Sequence, residues 1–311
     1  MASSSTILVI GSSNTDMIVR TERIPRPGET LLGGEFLTAA GGKGANQAVA
    51  AARAGGAVAY LARIGSDMLG EQSLAGWQKE GIDTSHVSRD PKAPSGVALI
   101  FVAANGENSI AVAGGANLKL TPALIRKAAP AIRSASTVLM QLETPLESIQ
   151  AAAKIAAKAG VRVILNPAPA QKLPADLLRL IDVLTPNETE AELLTGIRIR
   201  SEKDAAKAAA ALQEAGARHV IITLGSKGAL VVEHGAAPRL LPAFNVTPVD
   251  TTAAGDTFNG ALAVALGEGR SLMEAARFAS AAAAISITRL GAQPSAPKRR
   301  EIEKLLRQAK A

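Results

Sequence analysis

Short aliphatic runs alternate with longer alanine-rich stretches through the middle of this chain, and that alternation restricts the possible folds more than any other feature. The aliphatic runs occupy residues 137–142, 161–165, 183–184 and 220–224, and the stretches of helical length occupy 145–160, 187–195 and 201–216. Strands of a parallel sheet are buried on both faces, and each parallel pair needs a crossover that is usually a helix. The pattern therefore predicts an α/β fold with a mostly parallel central sheet and right-handed crossovers.

The core of such a fold has to be almost entirely aliphatic. Of the 311 residues, 47% are hydrophobic but only 2% are aromatic. Scarce aromatic side chains argue against single-stranded nucleic-acid binding, which depends on base stacking. The net charge is +7, yet the basic residues are scattered, and the densest run, Lys298-Arg299-Arg300, is typical of a solvated helix face. We therefore expect no nucleic-acid partner.

Other function classes are disfavoured by residues that are absent or isolated. The chain has no cysteine, which excludes disulfides, thiolate catalysis and cysteine-ligated zinc. Its three histidines, His86, His219 and His234, are far apart in sequence, which argues against a histidine metal site or a Ser-His-Asp triad. No apolar run is long enough to span a bilayer, and residues 1–5 lack the basic and apolar regions of a signal peptide. We expect a cytoplasmic enzyme with no membrane partner.

Two early segments, about 15–40 and 96–114, contain strand-like runs that no helix separates. Residues 97–103 and 109–113 flank Asn105-Gly106, a dipeptide typical of a hairpin turn. These segments predict a small second sheet attached to the main domain. Such a sheet could pair with a second subunit, but we favour a lid that covers a cleft and excludes water.

The segment Asp250–Gly260 carries the clearest sign of chemistry. Small residues precede Asp256 where an alanine-rich helix should begin, and a helix start offers unpaired N–H groups and a partial positive charge to a phosphate. Gly255 lets the backbone approach a ligand closely, and Asp256, with an ordinary pKa of about 3.9, could accept a proton from a hydroxyl. The alternative is that Asp256 only caps the helix.

Two further polar segments precede predicted helices or follow strands near the amino terminus. Gly11–Asp16 follows the first strand, and in open parallel sheets ligands bind beyond the carboxyl ends of the strands. Asn14 and Asp16 suit vicinal hydroxyls, although an Asx-turn is the alternative. Gly41–Gln47 opens a helix and is neither a P-loop nor a dinucleotide fingerprint. Its glycines could admit a small polar ligand beside Lys43 and Asn46, or could form an ordinary turn.

Two later segments have the properties of nucleotide contacts. Asn187–Glu190 follows Thr185-Pro186 and could orient a hydrated Mg²⁺ and phosphates, or could simply cap a helix. Thr223–Gly228 ends a strand with two glycines and could contact a nucleotide, or could form a hairpin into 229–232.

Together these segments resemble the ribokinase-like family of sugar kinases over nearly the whole chain, in family order and spacing. The segments that carry the resemblance are Gly11–Asp16, Pro27-Gly28-Glu29-Thr30, Gly41–Gln47, Gly106-Glu107-Asn108, Asn187–Glu190, Thr223–Gly228, Asp250–Gly260 and Gly291-Ala292-Gln293-Pro294-Ser295. The resemblance implies one domain over residues 1–311, a three-layer α/β/α sandwich with a mostly parallel sheet, and a β-sheet lid formed by about 15–40 and 96–114. It implies ATP-dependent phosphorylation of D-ribose at its 5-hydroxyl, with Mg²⁺ and K⁺, in a homodimer joined through the lid.

The resemblance also implies roles at matching positions. The implied catalytic residues are Asp256 as the base, with Ala254 and Gly255 completing the anion hole. The implied sugar contacts, besides Asp256, are Asn14, Asp16, Gly42, Lys43, Gly44, Ala45, Asn46 and Glu143. The implied nucleotide contacts are Asn187, Thr223, Gly225, Ser226, Lys227, Gly228, Gly255 and Ser280. Glu190 would act on Mg²⁺ indirectly, and Asp250, Thr252, Ser286, Arg289, Gly291 and Ser295 would hold K⁺, some through main-chain oxygens.

Three alternatives remain open at this stage. A related kinase could act on deoxyribose, fructose, a nucleoside or pseudouridine, although the lack of aromatic residues near the motifs argues against a stacked base. A non-catalytic sugar or nucleotide sensor could use the same fold, although it would have no need of Asp256. A dinucleotide-dependent oxidoreductase is disfavoured by the missing glycine pattern.

Overall fold

The computed structural model describes residues 6–309, so the expectation that rests on residues 1–5 lies outside the described residues. The strands in the described residues are β1 (Thr6–Ile10), β2 (Asn14–Thr21), β3 (Glu35–Gly41), β4 (Ala57–Leu61), β5 (Arg63–Gly65), β6 (Ser88–Asp90), β7 (Gly96–Ala103), β8 (Asn108–Ala113), β9 (Thr137–Met140), β10 (Arg162–Leu165), β11 (Val183–Leu184), β12 (His219–Thr223), β13 (Ala229–Val232) and β14 (Arg239–Leu241). The helices there are α1 (Lys43–Arg53), α2 (Met68–Lys79), α3 (Pro122–Lys127), α4 (Ala129–Ser134), α5 (Leu146–Lys158), α6 (Ala175–Leu178), α7 (Glu188–Thr195), α8 (Glu202–Glu214), α9 (Ala254–Gly267), α10 (Leu272–Ser286) and α11 (Arg299–Gln308).

The central sheet contains the aliphatic runs that alternate with helices in the sequence. Its order is β14-β13-β12-β11-β10-β9-β1-β4. In this sheet, neighbouring strands pair in parallel from β4 through β1, β9, β10 and β11 to β12, while β13 and β14 add an antiparallel edge. The prediction of a mostly parallel sheet is confirmed.

Both faces of this sheet are covered by helices, and β1 shows why. Ile7 and Val9 pack into one core with residues of α1, α9 and α10, whereas Leu8 and Ile10 pack into the other with residues of α5 and α8. Successive side chains of a strand point to opposite faces, so a strand that is apolar at every position needs a helical layer on each side. The fold is therefore the predicted three-layer α/β/α sandwich.

Close packing between α9 and α1 determines what lies at their amino ends. A Cβ atom at Gly260 would lie 2.6 Å from the main-chain oxygen of Gln47, so the glycine is needed for the two helices to approach. This contact brings the first turn of α9 beside the first turn of α1.

The second sheet has the order β3-β2-β7-β8. Strand β2 pairs with β7 in parallel and with β3 in antiparallel, and β7 and β8 form the hairpin predicted around Asn105-Gly106. Within the predicted segment of about 15–40, β2 ends at Thr21 and β3 begins only at Glu35.

A third, two-stranded sheet was not predicted. The run from Val58 to Ile64 looks like one strand in the sequence, but β4 stays in the central sheet while β5 leaves it and pairs with β6. The main-chain N–H of Ser88 bonds to the oxygen of Ala62 at this break, a tertiary contact with no local signal. Among the described residues, no helix is both long and apolar enough to cross a bilayer.

Candidate active site

A polar cavity of about 170 Å³ lies at the carboxyl ends of β10, β11 and β12. This is the edge at which open parallel sheets bind ligands. The cavity is lined by Lys43, Asn166, Ala168, Thr185, Asn187, Glu190, Thr223, Thr251, Ala253, Ala254, Gly255, Asp256 and Asn259. It thus joins the start of α1, the start of α7 and the start of α9.

Asp256 lies in the first turn of α9 and is buried, with 6% of its surface exposed. Its Oδ1 accepts a hydrogen bond from Gln47 Nε2 and its Oδ2 accepts one from Asn46 Nδ2, both at 2.9 Å. The residue at the N-cap of α9 is Ala253, and no side chain caps the helix there. The alternative in which Asp256 is only a helix cap is therefore wrong.

The charge of Asp256 depends on several opposing effects. Burial raises the pKa of its carboxyl above the ordinary value, and the positive charge of Lys43 and the two amide hydrogen bonds work in the opposite direction. Glu143 adds a smaller effect that raises the pKa. The expectation of an ordinary aspartate pKa is corrected, because Asp256 is desolvated and its ionised form depends on its neighbours.

The first turn of α9 contains main-chain N–H groups that have no partner among the described residues. Ala253 has φ 56°, in the left-handed region, where the chain turns into α9. The N–H of Ala254 donates to the oxygen of Thr251 at 3.2 Å, whereas those of Gly255 and Asp256 bond to no other described residue. These two groups, at the positive end of the helix, suit an anionic oxygen.

The start of α1 lies directly beside Asp256. Gly42 has φ 87°, and a Cβ atom there would lie 2.6 Å from the main-chain N of Asn14, so only glycine fits this turn. Asn46 donates to Asp256 through Nδ2, which leaves its buried Oδ1 without a partner in the described residues. A buried acceptor without a donor is costly, and a hydroxyl group of a ligand would satisfy it.

Glu143 connects β9 to the start of α1. Its Oε2 accepts hydrogen bonds from the N–H of Lys43, at 2.9 Å, and from Ser12 Oγ. Gly44 and Ala45 are buried next to β1: a Cβ at Gly44 would lie 2.5 Å from the N of Ser12, and the N–H of Ala45 donates to the oxygen of Ser12 at 2.9 Å. These contacts hold α1 against the first strand.

Asn14 and Asp16 lie on β2, where the second sheet meets the main domain. Asn14 Oδ1 accepts from Asn117 Nδ2 at 2.9 Å, and Asn117 is a buried partner that sequence reasoning missed. Burial, assisted by the negative charge of Glu143, raises the pKa of Asp16 to about 6. A desolvated carboxylate of this kind is a good acceptor for hydroxyl groups.

Asn187 and Glu190 form a reciprocal capping box at the start of α7, and both line the cavity. These two residues therefore cap the helix, and they also lie where a ligand contact is expected. Burial raises the pKa of the Glu190 carboxyl, opposed by the Asn187 N–H and by Lys43, while Asp256 adds to the increase. Glu190, Lys43 and Asp256 thus interact electrostatically across the cavity.

The other expected nucleotide contacts lie beside or outside the cavity. Thr223 lines it and is bridged to Asn187. Gly225, Ser226 and Lys227 form an exposed 3-10 turn between β12 and β13, which is also the predicted hairpin, and Gly228 follows it. Ser280 lies on α10 and does not line the cavity.

The residues expected at the K⁺ site form a network behind the start of α9. Asp250 accepts from the N–H of Thr252 at 2.9 Å and of Gly291 at 2.8 Å. Burial alone would raise the pKa of Asp250, but these hydrogen bonds outweigh it and the pKa lies below its usual value. The N–H of Arg289 donates to the oxygen of Ser286 at 3.0 Å.

Ser286 and Ser295 are completely buried, and Arg289 uses its side chain for an ion pair with Glu301. No hydrogen bond from another described residue uses the main-chain oxygens of Thr252, Arg289 or Gly291. An ionised carboxylate and free carbonyl oxygens are ligands that suit a monovalent cation, so the donor set fits K⁺.

Sequence reasoning missed a group of buried polar residues around Asp256. They are Gln47, Gln141, Asn166, Thr185 and Asn259. Asn166 and Thr185 come directly after β10 and β11, so their position past buried strands was the available signal. Gln47 lies in the glycine-rich segment but was assigned no role. Within residues 6–309, no group of three or more His, Asp or Glu side chains could hold a metal ion.

Comparisons with known proteins found similar proteins that match nearly the whole length of this chain. The model of the pfkB family carbohydrate kinases matches residues 4–299. A ribokinase of Haemophilus influenzae is 49% identical over 304 residues, covering 98% of this chain and 99% of that protein. A deoxyribokinase of Salmonella typhi is 39% identical over 94% of this chain and 95% of its own length. The solved structure of Arabidopsis thaliana ribokinase complexed with ribose and ATP has a TM-score of 0.93 and 37% identity, covering 98% of this chain and 99% of that one.

Proposed function

The chain belongs to the pfkB family of carbohydrate kinases, and we propose that it transfers the γ-phosphoryl group of ATP to the 5-hydroxyl of D-ribose. The products are D-ribose 5-phosphate and ADP. Similar proteins named ribokinase, and the ribokinase structure with ribose and ATP, support this substrate pair.

One observation in the molecule itself supports the reaction most directly. A buried carboxylate, Asp256, lies at a helix start whose N–H groups are free within the described residues, and it bonds to Asn46, whose Oδ1 has no partner among them. The free N–H groups can hold a phosphoryl oxygen, and Asn46 can accept a hydroxyl hydrogen bond. An alcohol and a phosphate would thus meet beside a proton acceptor.

The proposed step is a direct phosphoryl transfer with no covalent enzyme intermediate. The sugar hydroxyl oxygen forms a bond to the γ-phosphorus while the bond from that phosphorus to the ADP oxygen breaks. The hydroxyl proton passes to Asp256, and Lys43 and the N–H groups of Gly255 and Asp256 offset the negative charge. Phosphoryl transfer has a loose transition state, so positioning and charge neutralisation supply most of the rate.

We propose the other sugar and nucleotide contacts at the positions that the family resemblance gives. Asn46 bonds to Asp256, Lys43 and Glu143 act on its charge, and Glu143 also acts on Asp16. The proposed sugar contacts are therefore Asn14, Asp16, Gly42, Lys43, Asn46 and Glu143. Gly44 and Ala45 would contribute through the main chain only, because their positions are packed against β1. The turn 225–228 and Ser280 would bind the nucleoside outside the described cavity.

We also propose Mg²⁺ and K⁺ as activators. Bound Mg²⁺ would neutralise phosphate charge, and since no acidic cluster could hold it within the described residues, Glu190 would act on it through water. K⁺ would fit the site of Asp250 and the carbonyl oxygens of Thr252, Arg289 and Gly291. Those residues adjoin the segment that turns into α9, so an ion there would stabilise the N–H groups that hold phosphate.

A homodimer joined through the second sheet is the proposed assembly, and the strand register supports it. Ile18, Ile100 and Ile110 are paired across β2, β7 and β8, so they share one face. Phe36 and Leu99 lie on the opposite face and are 63% and 49% exposed respectively. A sheet that is apolar on both faces needs cover on both, and a second copy of the chain can supply it.

Cytoplasmic ATP is the expected phosphoryl donor, and we therefore propose the cytoplasm as the site of the reaction. Deoxyribose is the second candidate acceptor, because a deoxyribokinase matches at 39% identity over most of the chain. The sensor alternative is disfavoured by the intact Asp256 and its two amide donors, which a binding protein would not need.

The test is ATP-dependent ADP release with ribose, deoxyribose, fructose, adenosine or pseudouridine, each with K⁺ or with Na⁺ alone. We expect the highest kcat/KM for ribose, and a clear increase with K⁺. A higher kcat/KM for deoxyribose than for ribose would make deoxyribose the proposed acceptor. Ligand binding without turnover for any acceptor would contradict the kinase proposal and favour a sensor.

A further inference from the structure

A closed path of buried hydrogen bonds joins Asp256 to the residue that precedes it. The path runs from Asp256 through Gln47, Asn166, Thr185 and Asn259 to the main-chain oxygen of Gly255, and it enters Thr185 at the main-chain oxygen and leaves it at the hydroxyl. All four intermediate residues are at most 5% exposed. It connects α1, the ends of β10 and β11, and α9.

Gln47 is the central member of this path. The two hydrogens of its Nε2 serve Asp256 Oδ1, at 2.9 Å, and Asn166 Oδ1, at 3.0 Å. Its Oε1 accepts from Gln141 Nε2 at 2.6 Å. Reversing the amide would place an oxygen against the Asp256 carboxylate and against Asn166 Oδ1, so the amide has one orientation.

The other half of the path controls the helix start. Asn166 Nδ2 donates to the main-chain oxygen of Thr185 at 3.0 Å, and Thr185 Oγ1 donates to Asn259 Oδ1 at 2.6 Å. Asn259 Nδ2 then donates to the oxygen of Gly255 at 2.8 Å. The peptide that carries the proposed anion-binding N–H groups is therefore tied to the same network as the base.

We propose that Gln47 is a positioning residue for the reaction: its amide orients the Asp256 carboxylate, and Asn259 fixes the Gly255 peptide relative to that carboxylate. The inference rests on the proposed role of Asp256 as the base. Purely structural amides could satisfy one another, but here one N–H is directed at the carboxylate. Within low-dielectric surroundings such a hydrogen bond favours the charged form.

The groups that act on Asp256 come from every element packed around it. Lys43 lowers its pKa, Glu143 raises it, and Glu190 is coupled to it across the cavity. Because these charges remain when Gln47 is changed, the loss of the Gln47 donor should appear as a separate increase in the pKa of Asp256.

The experiment compares Gln47→Met with Gln141→Met at saturating ribose and ATP. Gln141 is buried to the same degree and contacts Gln47 but not Asp256, so its substitution is a matched control for core disruption. For Gln47→Met we expect kcat to fall about tenfold to a hundredfold and the acid limb of the kcat–pH profile to move up by about one pH unit. Ribose Kd by calorimetry should stay within about twofold, since the sugar contacts are unchanged.

Equal acid limbs in Gln47→Met and Gln141→Met, or a Gln47→Met profile like the unmodified enzyme, would overturn the inference. If Gln47→Met does not fold by circular dichroism, Asn259→Ala tests the other half of the path. It should lower kcat and leave ribose Kd unchanged, and an unchanged kcat would overturn the proposal. Asp256→Asn is measured in parallel: normal turnover in it would refute the proposed base, whereas an inactive Asp256→Asn with a normal Gln47→Met would refute only the role of Gln47.

Discussion

At the scale of single residues, Asp256 carries the proposed proton transfer. Asp256→Asn keeps the shape of the side chain but removes its charge, so turnover should fall about a hundredfold to ten-thousandfold. Ribose binding, measured by calorimetry, should persist because the other sugar contacts remain. Asp176→Asn, at an exposed aspartate on α6, is the matched control. Near-normal turnover in Asp256→Asn would contradict the base assignment.

Asp16 has a pKa of about 6 because the folded chain disfavours its charge. An aspartate with a raised pKa binds its proton more tightly in the folded state, so its contribution to stability is lost as pH rises from about 4 to about 6. Asp16→Asn should therefore raise Tm by roughly 2–4 °C at pH 8 and leave it unchanged at pH 3. Thermal denaturation at the two pH values checks this.

Asp16→Asn should also weaken the binding of ribose. Ionised Asp16 is the form that accepts hydroxyl hydrogen bonds, so the ribose Kd of the unmodified enzyme should increase as pH falls below about 6. Asp16→Asn should give a weaker and nearly pH-independent Kd. Unchanged ribose affinity at pH 8 would remove Asp16 from the sugar site. Increased stability with reduced binding is the usual compromise at a functional position.

At the scale of elements, Arg53 joins the end of α1 to the segment that carries Ser295. Its Nη1 donates to the main-chain oxygens of Gln293 (2.7 Å), Pro294 (3.2 Å) and Ala296 (3.0 Å), and its other nitrogens bond to Glu80. Helix α1 thus contacts the proposed cation segment at one end and Asp256 at the other. A substitution at Arg53 should therefore alter the proposed cation site without changing any proposed substrate contact.

Arg53→Met should loosen that segment and raise the K⁺ concentration for half-maximal activity by roughly fivefold. The thermal stabilisation by K⁺, measured without substrate, should need a similarly higher concentration. Arg63→Met is the control, because Arg63 also forms a partly buried ion pair, with Asp90, outside this segment. Equal K⁺ requirements in the two variants would contradict the role of Arg53. Absence of K⁺ stabilisation in the unmodified enzyme would instead refute the cation site.

The central elements were predictable because their signals are local. The apolar runs of β9, β10 and β12 and the helix start before Asp256 are read from neighbouring residues. The bonds of Gln47 to Asn166 and Asp256 span 119 and 209 positions, so no window of sequence contains them. Strand β6 is only three residues long and is a strand because it pairs with β5, a contact distant in sequence. It therefore had no local signal.

At the scale of the whole molecule, the second sheet predicts the oligomeric state. Ile110 is 56% exposed on the face that it shares with Ile18 and Ile100. Ile110→Lys would bury a charge in the proposed dimer interface, so light scattering should give a mass near 31.7 kDa rather than twice that value. Leu193→Lys, at a similarly exposed leucine on α7, should leave the dimer intact. A monomeric unmodified protein would contradict the assembly.

The position of β1 between β4 and β9 has a consequence for synthesis on the ribosome. Strand β4 is made soon after β1, but β9 follows about 130 residues later. At 5–20 residues per second, an apolar strand edge therefore waits roughly 7–26 s for its partner. During that interval the nascent chain presents the edge to other chains. The yield of native protein in a cell is thus decided partly by translation speed and chaperone access, before the finished sheet exists.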